Sequence, residues 1–142
     1  MKTKYFNFIL LFTFIFNISC EDLLDTNSKS IIEKIEGTWK CEESSSLFKS
    51  TQDFYTVYIS PSASDSTQVL ISNFYDLGSG VEAVGRVTGT NISLATQTLL
   101  GGFKIRGSGT ISENAQQINW TYYVDDGSGE EDEVNAVYTF QY

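Results

Sequence analysis

The feature that most constrains the fold is an alternation of apolar and polar residues with a period of two, which runs from Gly37 to the end of the chain. It is clearest in the segments 103–111, 118–124 and 134–142. Successive side chains of a β-strand point to opposite faces of a sheet, so this period indicates strands with one buried face. Turn-forming residues separate about eight such segments. The pattern predicts an all-β domain, an antiparallel meander that closes as a barrel or folds as a sandwich.

Shorter segments complete the predicted series of strands. Trp39 and Cys41 share one face of the first strand. The segment 68–74 is apolar on both faces, and 91–94 is a short strand after a Gly-Thr turn. The small residues of 61–67 are typical of a loop.

A short helix precedes the first strand. Ser30 and Glu33 have the spacing of a capping box, Ile31 and Ile35 form an apolar pair on one helix face, and Gly37 follows where a helix ends. A helix of about two turns is not stable alone. We therefore expect it to lie against one end of the sheet or barrel, within a single domain of residues 30–142.

The first residues have the composition of a signal peptide. Lys2 and Lys4 precede an apolar run at 8–16, which is much shorter than the roughly twenty residues needed to span a bilayer. We expect residues 1–19 to be a signal peptide. Without it, the net charge changes from −9 to about −11, so a nucleic-acid partner is not expected. The chain has no histidine, the commonest general base and metal ligand.

The end of this leader resembles the lipobox of bacterial lipoproteins. Ile18 and Ser19 match the two positions before the cysteine, while Asn17 stands where the family usually has leucine. The resemblance implies that Cys20 becomes the N-terminus, carries a diacylglyceryl thioether and an amide-linked acyl chain, and anchors the protein to a membrane. Residues 20–29 would then be a tether. The alternative is a disulfide between Cys20 and Cys41 in a secreted protein.

The acidic pair Glu21-Asp22 is similar to sorting signals of some Gram-negative lipoproteins. It favours the outer membrane, with the domain on the periplasmic face or at the cell surface.

The helix followed by Gly37-Thr38-Trp39 resembles the lipocalin or calycin-like group, including small barrel lipoproteins of Gram-negative bacteria. The resemblance implies a small calycin-like barrel with the Trp39 indole across its floor. That group places an arginine from a late strand on this tryptophan. The last segment, 135–142, has none, which leaves Arg86 or Arg106 as substitutes.

The predicted inner face offers residues for a ligand pocket. Trp39, Trp120, Tyr122 and Tyr138 would line it, although inward aromatic side chains are more often core. An eight-stranded barrel is wide enough to be filled by side chains or to hold one small ligand. Gly107 and Gly109 would leave room for a ligand or, as we favour, let their strand bend.

The loop 125–133 is rich in carboxylates, which suit Ca²⁺ as oxygen ligands. Asp125, Asp126, Glu130 and Asp132 are weak candidates, because the spacing does not fit an EF-hand and a solvated hairpin tip is the simpler explanation. We expect no cofactor. Cys41 shares the Trp39 face and has no histidine partner, so a buried, inert thiol is expected, and no catalytic constellation is visible.

Two functions follow from these observations. The first is a lipid-anchored cell-envelope protein whose barrel binds a small apolar or amphipathic ligand. The second is a barrel with a filled interior that serves as an accessory or adhesive module, contacting envelope proteins through its outer surface and loops.

Overall fold

The computed structural model describes residues 31–47 and 54–142, which form a closed antiparallel barrel of eight strands preceded by a short helix. Each strand pairs with its sequence neighbours, and β1 closes the barrel by pairing with β8. The predicted meander and helix are confirmed, and the barrel, not the sandwich, is the architecture. The strands are β1 Gly37–Ser45, β2 Phe54–Pro61, β3 Gln68–Ser72, β4 Glu82–Thr88, β5 Asn91–Thr98, β6 Lys104–Ile111, β7 Gln117–Asp125 and β8 Glu131–Phe140.

The two ends of the barrel differ. The helix (residues 31–35), the start of β1 and the end of β8 lie at one end, which we call the helix end. The opposite end, which we call the mouth, carries the connections 73–81, 99–103 and 126–130. Among the described residues, no helix is both long enough and apolar enough to cross a bilayer.

The helix closes its end of the barrel, as expected. Ile32 and Ile35 are buried in the common core, and Trp39 Nε1 donates a hydrogen bond to the Ile35 carbonyl at 2.9 Å. The ring of Phe140 packs edge-on against the Trp39 indole, with centroids 5.0 Å apart. Capping by Ser30 lies outside the described residues.

Neither Arg86 nor Arg106 takes the place of the arginine that the lipocalin group puts on this tryptophan, because both lie on the outer face. Arg86 forms an ion pair with Asp65 at 3.1 Å. Arg106 forms a bidentate pair with Glu131, at 2.7 and 3.1 Å. A guanidinium is more easily paired and hydrated on the surface than inside a barrel.

Strand limits differ from the prediction in three places. The segment 68–74 leaves the strand after Ser72, and 91–94 continues as β5 to Thr98, past an irregularity between Leu94 and Gln97. The acidic segment 125–133 is loop only between β7 and β8, since β8 begins at Glu131. The residue composition predicted where the turns lie. Where each strand ends, however, depends on hydrogen-bond pairing with the neighbouring strands.

The connection from β3 to β4 turns into the barrel at the mouth. It contains a short 3-10 turn, Phe74–Asp76, in which Tyr75 has the positive φ of 58°. Its neighbours Asn73 and Asp76 also have positive φ, at 60° and 57°. Such angles are unfavourable for a bulky residue and persist when surrounding contacts fix them. Here the contacts are with the core, in which the side chains of Phe74 and Tyr75 are both buried.

Candidate functional site

The inside of the barrel, where a ligand was expected, contains a column of packed aromatic rings. The Phe74 ring lies 4.8 Å from that of Tyr122 and 6.4 Å from that of Trp120. Trp120 in turn lies 5.5 Å from Tyr138, and Tyr75 continues the column to the mouth at 6.2 Å from Tyr122. Three of the four predicted pocket residues are thus brought into one column, in which Phe74 contacts Tyr122 and Trp120, and Trp120 contacts Tyr138.

The fourth predicted pocket residue, Trp39, is buried at the helix end against Phe140. All four are therefore core side chains by position. Aromatic rings at these distances pack in tilted or edge-to-face geometry, which stabilises the core beyond the area they bury.

The two glycines of β6 leave no room for a ligand. A Cβ on Gly109 would lie 2.7 Å from ring atoms of Trp120, so the indole already occupies this space. A Cβ on Gly107 would lie 2.5 Å from the Tyr122 Cα and the Thr121 carbonyl oxygen. These glycines let β6 approach β7 closely and let the large indole fit beside it.

A polar group lies within this aromatic interior. Glu43 of β1 is 2% exposed, and its Oε1 accepts hydrogen bonds from the hydroxyls of Tyr55 and Tyr122. Tyr55 and Tyr138 stand directly across from Cys41, on β2 and β8 respectively. Three tyrosines from three strands therefore surround one carboxyl group.

These tyrosines remain protonated donors at any physiological pH. Burial is the largest cause that raises the pKa of Tyr55, Tyr122 and Tyr138. The Glu43 carboxyl group adds to the increase for each, because a second negative charge nearby disfavours a phenolate. The arrangement therefore favours hydrogen bonding over proton exchange.

A second buried carboxyl group, Asp132, joins the loops of the mouth. Its Oδ2 accepts hydrogen bonds from Ser45 Oγ at 2.5 Å and from the Tyr75 hydroxyl at 3.2 Å. Its Oδ1 accepts from Ser46 Oγ and from the Leu47 backbone amide, both at 3.0 Å. One side chain thus connects β8, the end of β1 and the inward turn between β3 and β4.

The Asp132 carboxyl group is held in its charged form. Burial raises its pKa, but the hydrogen bonds from Ser45, the Leu47 amide, Ser46 and Tyr75 outweigh burial and keep the pKa below its usual value. A carboxylate with four donors is a structural connection, since no lone pair is left directed at a substrate.

The structure does not assemble the predicted calcium ligands. Asp125 and Asp126 each accept a backbone amide of their own loop, from Gly127 at 2.8 Å and Ser128 at 2.9 Å. Asp132 points inward to its four donors, away from this exposed loop. Within residues 31–47 and 54–142, no three Cys, Asp or Glu side chains are grouped as metal ligands. Residues 126–130 are exposed, at the tip of the hairpin between β7 and β8.

Cys41 is fully buried on the same face of β1 as Trp39, as the alternation indicated. The proposed lipidation at Cys20, its alternative disulfide with Cys41, the signal peptide and the tether fall outside the described residues.

Sequence reasoning missed Glu43 and the inward turn at Phe74, and it placed Asp132 among calcium candidates instead of in the core. The signal for the two acids was present, because Glu43 is in phase with Trp39 and Cys41. Asp132 is likewise in phase with the buried residues of β8. Phe74 gave no such signal, since a turn with left-handed residues has no period.

A closed antiparallel meander of eight strands behind a short helix is consistent with a calycin-like fold. The sequence matches no protein-family model, and a search of curated proteins finds no significant relative.

Proposed function

We propose that this protein is a lipid-anchored component of the bacterial cell envelope whose filled barrel is a scaffold, acting as an accessory or adhesive module through its outer surface and loops. The observation that carries the proposal is the aromatic column of Tyr75, Phe74, Tyr122, Trp120 and Tyr138, which occupies the space a ligand would need. A filled eight-stranded barrel is one of the two states this size of barrel allows. What remains for recognition is the outside.

The polar interactions at the mouth also support a scaffold. Asp132 holds the β3–β4 turn to β1 through Tyr75 and the two serines of that strand's end. A ligand entering the barrel would have to displace Phe74 and Tyr75 and break this connection. Fixed loops suit a module that presents a constant surface to its partner.

Anchoring at Cys20 would give the module an orientation. The tether leads into the helix at 31–35, so the helix end would lie nearer the membrane. A tether of ten residues reaches at most about 35 Å. The mouth and its loops would then face away from the lipid, at the outer membrane and toward the periplasm or the cell exterior.

An interior ligand is the second candidate, and one observation favours it. Trp120 Nε1 is buried and forms no hydrogen bond with any described residue. Buried polar groups normally have a partner. A small ligand with a polar group could accept a hydrogen bond from the Trp120 indole N–H. An ordered water could accept the same bond with far less displacement of the aromatic column.

Two experiments test the proposal. The first is metabolic labelling of a bacterial host with an alkyne fatty acid, comparing the wild type with Cys20→Ser and, as a matched control, Cys41→Ser. Label on the wild type and on Cys41→Ser, with none on Cys20→Ser, supports the anchor; label absent from the wild type refutes it.

The second experiment is titration of the purified protein with fatty acids of different chain length while indole fluorescence is recorded. A filled barrel gives no saturable change. Saturable quenching that disappears in Trp120→Phe but persists in Trp39→Phe would refute the filled interior and favour the ligand function.

A further inference from the structure

A groove of about 450 Å³ crosses the outer face of β1, β8, β7 and β6. The groove runs over the backbone of Glu43, Ala136 and Trp120, which pair with one another across β1, β8 and β7. The side chains of these three residues point inward, to the other face of the sheet. Its volume lies within the range of small-molecule sites in proteins. Outward side chains from the neighbouring positions form its walls, namely Glu42, Ser44, Thr110, Asn119, Thr121, Asn135 and Val137.

The walls are mostly short, neutral hydrogen-bonding groups, three hydroxyls and two amides, together with one carboxylate and the apolar side chain of Val137. That carboxylate, Glu42, forms an ion pair with Lys40 at 3.1 Å. No lysine or arginine is among the described residues that line the groove. The chain as a whole carries a net charge of −9, so anionic ligands are repelled. Apolar ligands would bury these polar groups without hydrogen bonds, which is costly.

The central groups are already oriented. Thr121 and Asn135 are a cross-strand pair, and Thr121 Oγ1 donates a hydrogen bond to Asn135 Oδ1 at 3.0 Å. Ser44 Oγ donates to the Asn135 carbonyl from the other side, at 3.3 Å. With Asn135 Oδ1 engaged, the two amide N–H groups are directed away from Thr121 and can donate to a ligand. Oriented donors reduce the entropy lost on binding.

An aromatic ring borders the groove on β2. Phe54 pairs across from Glu42 on the outer face and is 55% exposed, while the Lys40 ammonium lies 3.9 Å from its ring centroid. A hydroxyl-rich groove beside an aromatic surface matches a sugar, which has hydroxyls at its edge and C–H groups on its face.

We propose that this groove binds a neutral, hydroxyl-rich polysaccharide, which deepens and rests on the proposed function of the outer surface. The neutral lining on an acidic protein selects against charged glycans, and the hydroxyl and amide groups replace the water around sugar hydroxyls.

The test is titration of the isotope-labelled protein with neutral oligosaccharides of glucose, mannose and galactose, and with hyaluronan oligosaccharides as the anionic comparison, followed by NMR. A neutral oligosaccharide is expected to shift the backbone signals of Thr121, Asn135 and Ser44 with saturation. The double variant Thr121→Val/Asn135→Ala should weaken that binding about tenfold. The matched control is Thr88→Val/Asn91→Ala, an exposed Thr–Asn cross-strand pair at β4–β5, which should leave binding unchanged.

The proposal would be overturned by no saturable shift with any neutral oligosaccharide up to about 10 mM, by equal loss in both double variants, or by tighter binding of the anionic chain. Groove signals that respond instead to an envelope protein would also overturn it, and would make the outer surface a protein interface. The fatty-acid label and the fatty-acid titration decide the proposed function separately, so its failure is distinguishable from failure of the groove.

Discussion

Replacing Phe74 with alanine tests how tightly the barrel is packed. The Phe74 side chain is fully buried, and its ring contacts those of Tyr122 and Trp120. Losing the ring from a core costs about 2 kcal/mol in transfer free energy. If the rigid barrel does not collapse, a void on the order of 100 Å³ adds about 2.4 kcal/mol. We therefore expect Phe74→Ala to reduce the free energy of unfolding by about 4 kcal/mol.

The matched control is Phe54→Ala, since Phe54 is on the outer face and 55% exposed. It loses a ring contact with Lys40 and should cost at most about 1 kcal/mol. The measurement is urea unfolding followed by tryptophan fluorescence. Benzene should raise the midpoint of Phe74→Ala, by filling its void, and leave the wild type unchanged. Equal losses in the two variants, or stabilisation of the wild type by benzene, would refute the reasoning.

Three further predictions concern single contacts. Asp132→Asn should lower stability by about 1–3 kcal/mol at pH 7. The pKa of the Asp132 carboxyl group is lower in the folded protein than in the unfolded chain. The stabilisation is therefore fully present above the unfolded pKa of about 3.9 and is lost as pH falls through the folded pKa. The urea midpoints of wild type and variant should accordingly converge in acid. Gly109→Ala should cost about 1–3 kcal/mol by overpacking, whereas Gly80→Ala, with open space around it, should be nearly neutral in thermal unfolding. Trp39→Phe removes the hydrogen bond to the Ile35 carbonyl and should lower the free energy of unfolding by about 1 kcal/mol. It should also speed amide hydrogen exchange in the helix, and unchanged exchange would contradict this role.

The alternation of residue types was sufficient to predict the strands and their buried faces, because one-sided burial imposes a period of two. Trp39, Cys41, Trp120, Tyr122 and Tyr138 all point inward as expected. Closure into a barrel instead of a sandwich depends on the pairing of β1 with β8, a contact between distant parts of the chain that no local pattern contains.

The site was less predictable for a related reason. The partner of Trp39 is Phe140 rather than an arginine, and the inward turn at Phe74 depends on contacts with β7. Glu43 and Asp132 were in phase with the core, but charged residues on an inner face are acceptable only with donors supplied by other strands. Such donors become visible only when the strands are placed side by side.

The central claim, that the barrel interior is filled, is tested most directly by a crystal structure of the protein under xenon pressure. The account predicts continuous side-chain density from Tyr75 through Phe74 and Trp120 to Tyr138, and no xenon atom inside the barrel. Xenon bound between Trp120 and Tyr138 would contradict it, because that gas enters only preformed apolar space.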